Sequence, residues 1–213
     1  MACRQRTARG IIVQLRETLN AGKVTDIYFG DAAHMRSDHH AGRTWRKKGE
    51  TPIVEATGAR HGMSLISAIT SRGHMRFMLV EKGGVNADVF IEFLKRFPAG
   101  AKRAIFLIVD RGPAHIAKKT MAFVESLNGA LRLFYLPPYS PDRNPDELVW
   151  KHLKADTVGR MTVTSKDDFK SKVRSSMRQL QNNPAAPFTK NHLSDMPREH
   201  RDTYERINRS GPH

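Results

Sequence analysis

Cysteine is almost absent: Cys3 stands alone among 213 residues, which excludes a disulfide framework. Long apolar runs are missing too, and no stretch nears the roughly 18 uninterrupted apolar residues of a membrane span. The opening segment MACRQRTARGIIVQLRETLN is polar and basic, without the apolar centre of a signal peptide. A cytoplasmic protein with no membrane contact is the expectation. Acidic charge is scarce: 21 Asp and Glu face 36 Lys and Arg, giving a net charge of +15 and a pI near 10.4. Such a surplus favours a polyanionic partner, because each neutralised phosphate releases a counterion. A basic surface without a partner, or a ribosomal protein, is the competing reading of charge alone. Neither internal repeats nor long low-complexity tracts interrupt the chain.

What is present points to one α/β domain over residues 24–182. Before it, residues 1–23 read as a basic helix or linker, with Ile11, Ile12, Leu15 and Leu19 near helical spacing. After it, residues 183–213 are poor in apolar side chains and read as a flexible basic tail. Strands are expected at 26–30, ending at Asp31, and at Pro52–Ala56, Met63–Thr70 and Met75–Glu81, with residues 35–50 as a polar loop. Arg72 and Gly73 mark a turn. Residues 86–97 form an amphipathic helix: Asn86 caps it, and Val89, Phe90, Phe93, Leu94 and Phe97 make one stripe. The unbroken apolar run Ala104–Val109 reads as a strand buried on both faces, ending at Asp110. A helix near 115–127, a strand over Leu131–Leu136, and helices over 145–156 and 166–181 complete the order. Tightly joined early strands pair antiparallel; strands separated by helices pair parallel. The sheet is therefore mixed.

Asp31 and Asp110 each follow a strand, where functional groups of open α/β sheets gather. Either alone serves as a cap or turn residue as readily as a ligand. Side by side, two carboxylates repel, and a divalent cation relieves that repulsion. A third acid lies in YSPDRNPDELVW, residues 139–150. Here Asn144 can cap a helix with Pro145 at its first position. Glu147 then stands where a capping-box acid belongs, or is aimed at a metal by the proline-framed loop. Lys151 and Lys154 follow on roughly the same face, as a solvated surface or a track for phosphates. His115, five residues after Asp110, either caps the next helix or supports the site. Arg43, Arg46, Lys47 and Lys48 cluster in a basic segment suited to DNA phosphate. His34, His39, His40 and His61 lack the ligand spacing of a zinc site.

Residues 24–160 resemble the catalytic domain of bacterial insertion-sequence transposases in the mariner-like DDE superfamily. The block LPPYSPDRNPDELVWKHLK, 136–154, carries the resemblance most specifically. It matches the family pattern at Leu136, Pro137, Pro138, Tyr139, Ser140, Pro141, Asp142, Asn144, Pro145, Glu147 and Trp150. IFLIVDRGPAH (105–115), YFGDAAH (28–34) and the Trp45, Gly49 and Pro52 of WRKKGETP are similar to further family blocks. Between Asp110 and Glu147 lie 36 residues, close to the family spacing. The resemblance implies a ribonuclease H-like fold with Asp31, Asp110 and Glu147 as catalytic and metal-binding acids. It implies two Mg²⁺ ions, with Mn²⁺ as a substitute, and in-line displacement at phosphorus. It also implies transposon-end and target DNA as partners, a homodimer in the active complex, and a nucleoid-associated protein. Arg111, Lys151 and Lys154 would contact DNA, with His115 and Asn144 supporting the acids.

The chain departs from the family at Ala32, often Glu in relatives, and at Arg111, usually Asn. About 23 residues precede the first strand, where relatives carry a helix-turn-helix region, so a separate subunit or reading frame is expected to supply it. These departures motivate an alternative: a catalytically inactive, truncated remnant that only binds DNA. Either way, charge dominates DNA affinity. Binding to unrelated duplexes should be of similar strength and fall on the order of a thousandfold between about 50 and 200 mM salt; a salt-insensitive footprint on one sequence, seen by anisotropy and footprinting, refutes this.

Overall fold

The computed structural model describes residues 25–38, 60–70, 72–98, 101, 103–136, 144–154, 158 and 162–183. The expected strand at Pro52–Ala56, the helix over 1–23 and the tail beyond Asn183 lie outside these residues. So do Arg43, Arg46, Lys47 and Lys48.

Five strands form one sheet in the order β3-β2-β1-β4-β5. They are β1 (Thr25–Arg36), β2 (Gly62–Thr70), β3 (Met75–Val80), β4 (Ala104–Val109) and β5 (Leu131–Tyr135). The first three pair antiparallel, and β4 and β5 join parallel to β1. The expected mixed sheet is thus present, with β1 at its centre. Of the helices, α1 (Ala87–Leu94), α2 (Pro113–Ile116) and α3 (Lys118–Ser126) connect β3 to β4 and β4 to β5, while α4 (Asp146–His152) and α5 (Lys166–Asn182) follow the last strand.

Side-chain alternation divides the core between the two faces. Ile66, Ala68, Ile105, Leu107 and Val109 meet Phe90, Phe93, Leu94 and Phe97 of the α1 region. On the opposite face Met35, Met63, Leu65 and Ile69 meet Val149, Trp150 and Leu153 of the α4 region and Phe169, Val173 and Met177 of α5. β4 is buried along its length after Ala104, as its unbroken apolar run requires. Asn86 caps α1 by accepting from the Val89 amide at 3.0 Å. Ser165 does the same for α5 through the Asp168 amide at 3.1 Å.

Two expectations need correction. β1 does not end at Asp31. It runs on to Arg36, because Asp31–Arg36 continue the antiparallel ladder with Gly62–Ser67 and Met35 is buried in the core. Asp31 is therefore an internal strand residue, and residues 35 and 36 leave the expected loop. The helix expected near 115–127 is broken at Ala117, whose backbone is extended (φ −59, ψ 140). Side chains take up the carbonyls released there: Thr120 Oγ1 donates to Ala114 O at 2.7 Å, and Tyr135 Oη to His115 O at 3.1 Å.

The α1 aromatic stack anchors its side of the sheet, with Phe93 fully buried and edge-on to Phe97 at 5.2 Å between ring centres. Phe93→Ala should cost about 3–5 kcal/mol in urea unfolding; a loss below about 1 kcal/mol would show that this core is not tightly packed.

Candidate active site

The parallel register pairs Phe29 with Ile108, and two residues further along each strand stand Asp31 and Asp110. The backbone alone thus brings the two aspartates together at the carboxyl ends of the parallel pair. Gly30 permits this closeness. A Cβ there would lie 3.1 Å from Leu107 Cδ1 and 3.3 Å from Ser67 O, so its neighbours would have to give by a few tenths of an ångström.

Helix α4 brings the third acid. Asn144 Oδ1 accepts from the Asp146 amide at 3.1 Å, and its Nδ2 donates to Gly30 O at 3.2 Å. The expected capping residue therefore also ties the helix start to the residue before Asp31. One turn into the helix, Trp150 Nε1 donates to Asp31 Oδ2 at 3.1 Å. Glu147 is exposed; Asp146 beside it is fully buried, with Ser67 Oγ 2.8 and 2.7 Å from its two carboxyl oxygens.

The electrostatics differ sharply among these acids. Half-buried Asp31 is pushed from an ordinary 3.8 to about 6. Burial is the main cause, and the negative charges of Glu147 and Asp110 add to it. Burial likewise drives Asp146 well above the usual carboxylate range. Asp110 is held below it, chiefly by the hydrogen bond from His115. His115 Nδ1 donates to Asp110 Oδ1 at 2.6 Å, and the Gly112 amide donates to the same oxygen at 3.0 Å. Gly112 leaves room there, since a Cβ would fall 3.0 Å from that oxygen and 3.3 Å from His115 Nδ1 and crowd the pair. His115 is itself buried, its ring centre 4.3 Å from that of Phe90. It begins no helix; it braces Asp110.

Arg111 is exposed, its guanidinium 5.9 Å above the Tyr135 ring. Tyr135 belongs to β5, on the far side of β4 from Asp31. Lys151 is exposed and Lys154 half-buried. Sequence reasoning missed Ser67 and the separate fate of Asp146. The available signal was a serine between Leu65 and Ile69 on an otherwise apolar strand face, which demands a buried polar partner.

The donor set fits a hard divalent cation. It consists of carboxylate oxygens, and the charges of Glu147 and Asp110 already disfavour ionising Asp31, a strain that positive charge would relieve. Among the described residues no three His, Cys, Asp or Glu side chains are drawn into a ready metal cage; Asp110 turns to His115 instead.

Residues 26–170 match the family model described as DDE superfamily endonuclease. The chain is 29% identical over 136 residues to an uncharacterized 39 kDa protein of insertion element IS630 from Shigella sonnei, covering 63% of this chain and 39% of that protein. The Mos1 transposase of a paired-end complex with the left transposon end is similar in structure, with a TM-score of 0.58 at 14% identity over 92% of this chain and 63% of that one. So is the Mos1 transposase catalytic domain solved with raltegravir and Mg, with a TM-score of 0.55 at 13% identity over 92% of this chain and 98% of that one. At such identities the likeness speaks for the fold, which is ribonuclease H-like. The chain therefore spans well under half of its insertion-element relative, and it belongs to the DDE superfamily endonucleases.

Proposed function

We propose that the chain is the catalytic part of a DNA transposase, cutting DNA phosphodiesters at transposon ends and joining the freed strands to target DNA. The observation that carries this reading is the meeting of Asp31, Asp110 and Glu147 charges at one end of the β1–β4 pair. We take 24–182 as the catalytic domain. Asp31 and Asp110 present oxygens from neighbouring strands, and Glu147 presents its own from the first turn of α4. Trp150 fixes the Asp31 carboxyl through its indole N–H, and Asn144 fixes where α4 begins. His115 and Gly112 keep Asp110 ionised. The acids would hold two Mg²⁺ ions, or Mn²⁺, which when bound activate the attacking hydroxyl and stabilise the leaving oxygen; the Mg-containing Mos1 structure supports that choice.

The net charge of +15 supplies DNA affinity without sequence readout. Arg111, Lys151 and Lys154 would meet phosphates near the acids, and Arg43, Arg46, Lys47 and Lys48 would extend the track. Transposon ends and target DNA are the proposed partners, with a homodimer in the active complex and a helix-turn-helix region supplied in cis or in trans. The Mos1 complex with a transposon end supports the DNA partner. Because Arg111 leans over Tyr135 on the β5 side, its charge does not bear directly on the pairing of Asp31 with Asp110. The inactive-remnant reading thereby loses one of its two motives.

Catalysis checks the acid assignment. Asp110→Ala and Glu147→Gln should each lower Mg²⁺-dependent plasmid nicking on the order of a thousandfold, with DNA binding retained. Glu147→Gln cutting like wild type would remove Glu147 from the site. A wild type that never nicks, even with its helix-turn-helix partner, would favour the remnant.

Asp31 supplies a pH test. Its folded value of about 6 exceeds the ordinary 3.8, so its contribution to stability is full below 3.8 and lost as pH rises through about 6. In metal-free buffer, Asp31→Asn removes this penalty and keeps an acceptor for Trp150. The variant should gain about 1–3 kcal/mol over wild type at pH 7.5, with little gain at pH 4. A variant that melts below wild type at pH 7.5 contradicts the burial of this charge.

A further inference from the structure

Asp146 is a fully buried carboxyl group that the proposed chemistry does not use. Three connections converge on it. Ser67 Oγ lies 2.8 and 2.7 Å from its two oxygens, and Ser67 is the cross-strand partner of Asp31. Its amide donates to Asn144 Oδ1, and Asn144 Nδ2 donates to the carbonyl of Gly30, the residue before Asp31. Its chain neighbour is Glu147. Two hydrogen-bonded paths thus leave the immediate surroundings of Asp31 and end at the residue preceding Glu147. A third contact, Trp150 to Asp31, closes the arrangement one turn later.

Apolar contact is non-directional. A helix packed on β1 and β2 through Val149 and Leu153 alone could shift along its axis at small cost. Hydrogen bonds depend on angle and distance, and buried ones are costly to leave unmade. Ser67 stands in the strand face formed by Met63, Leu65 and Ile69, where a hydroxyl has no use without a partner. Both Asp146 oxygens face Ser67 away from solvent.

We propose that Ser67 and Asp146 form a buried strut that sets the register of α4 against β1, with Asp146 as a positioning residue that fixes where Glu147 stands relative to Asp31. The proposal rests on the reading of Asp31 and Glu147 as metal ligands. It accounts for adjacent acids of opposite exposure: Glu147 faces outward to bind, and Asp146 faces inward to place it.

The test uses the full chain with Trp45→Phe, which leaves Trp150 as the sole indole. Asp146→Asn, Asp146→Leu and Ser67→Ala are compared with this parent by thermal melting, by Trp150 emission without metal, and by Mn²⁺ titration calorimetry. Asp146→Asn, which can still exchange hydrogen bonds with Ser67, should stay within about twofold of the parent in Mn²⁺ affinity, whereas Asp146→Leu and Ser67→Ala should lose about 10- to 100-fold and red-shift Trp150. A merely structural role would lower the melting temperature while leaving the Mn²⁺ affinity of the folded protein unchanged. Parent-like affinity and emission in Asp146→Leu and Ser67→Ala overturn the strut. So does Asp146→Asn failing as badly as Asp146→Leu, since that assigns Asp146 a direct charge role. If Asp146→Leu does not fold, Ser67→Ala decides by the same criteria. If the parent itself binds no Mn²⁺, the ligand reading of Asp31 and Glu147 falls; the strut is then judged on Trp150 emission alone, and unchanged emission refutes it.

Discussion

A carboxylate held partly away from water governs this end of the molecule. Asp31 sits within the central strand rather than at its tip, with β2 on one side, β4 on the other and α4 above. Burial is the main force that favours its neutral form, and the charges of Glu147 and Asp110 push in the same direction. The indole N–H of Trp150 and a backbone amide act against this and favour the charged form. The result is a group that holds its proton more tightly than an ordinary carboxyl and whose surroundings would favour a cation once that proton is lost.

The rest of the site can be understood as support for that arrangement. β4 must lie parallel beside β1 for Asp110 to arrive next to Asp31, and Gly30 lets the strands and Ser67 pack closely at that point. Asp110 is then kept ionised by the buried His115, which is wedged against Phe90 and anchored through its carbonyl by Tyr135. Two neighbouring aspartates therefore differ in proton affinity, Asp31 raised by burial and Asp110 lowered by its His115 donor. The broken helix at Ala117 belongs to the same logic, since a continuous helix would claim the His115 carbonyl for its own ladder.

The polar contacts between α4 and the sheet are the ones that surround Asp31. α1 and α5 meet the sheet mainly through aromatic and aliphatic side chains, with polar bonds at the β3 edge, from Gln181 to the Met75 carbonyl and from Arg76 to the Arg96 carbonyl. α4 adds directional bonds: Asn144 donates to the Gly30 carbonyl, Trp150 donates to Asp31, and Asp146 accepts from Ser67. Helices that only complete the core need burial. A helix that must hold one side chain in place needs a fixed angle as well, and polar contacts supply it.

Much of this was legible in the sequence, for local reasons. Unbroken apolar runs, the Asn86 cap and the aromatic stripe of α1 depend on neighbours in the chain, and they revealed the succession of most strands and helices along it, the mixed sheet and the spacing of the three acids. The Asn-Pro-Asp-Glu segment likewise announced a helix start. Local pattern could not reveal that Asp31 lies inside its strand, because β1 is extended by pairing with β2, a partner about thirty residues away. Nor could it separate Asp146 from Glu147: both are acids in the first turn of one helix, and only the placement of Ser67 beneath that turn buries one and leaves the other in solvent. Chain-local chemistry determined which residues carry carboxyl groups near strand and helix ends, whereas long-range packing decided which of them are buried and which are exposed, because burial and hydrogen-bond partners are properties of the assembled layers.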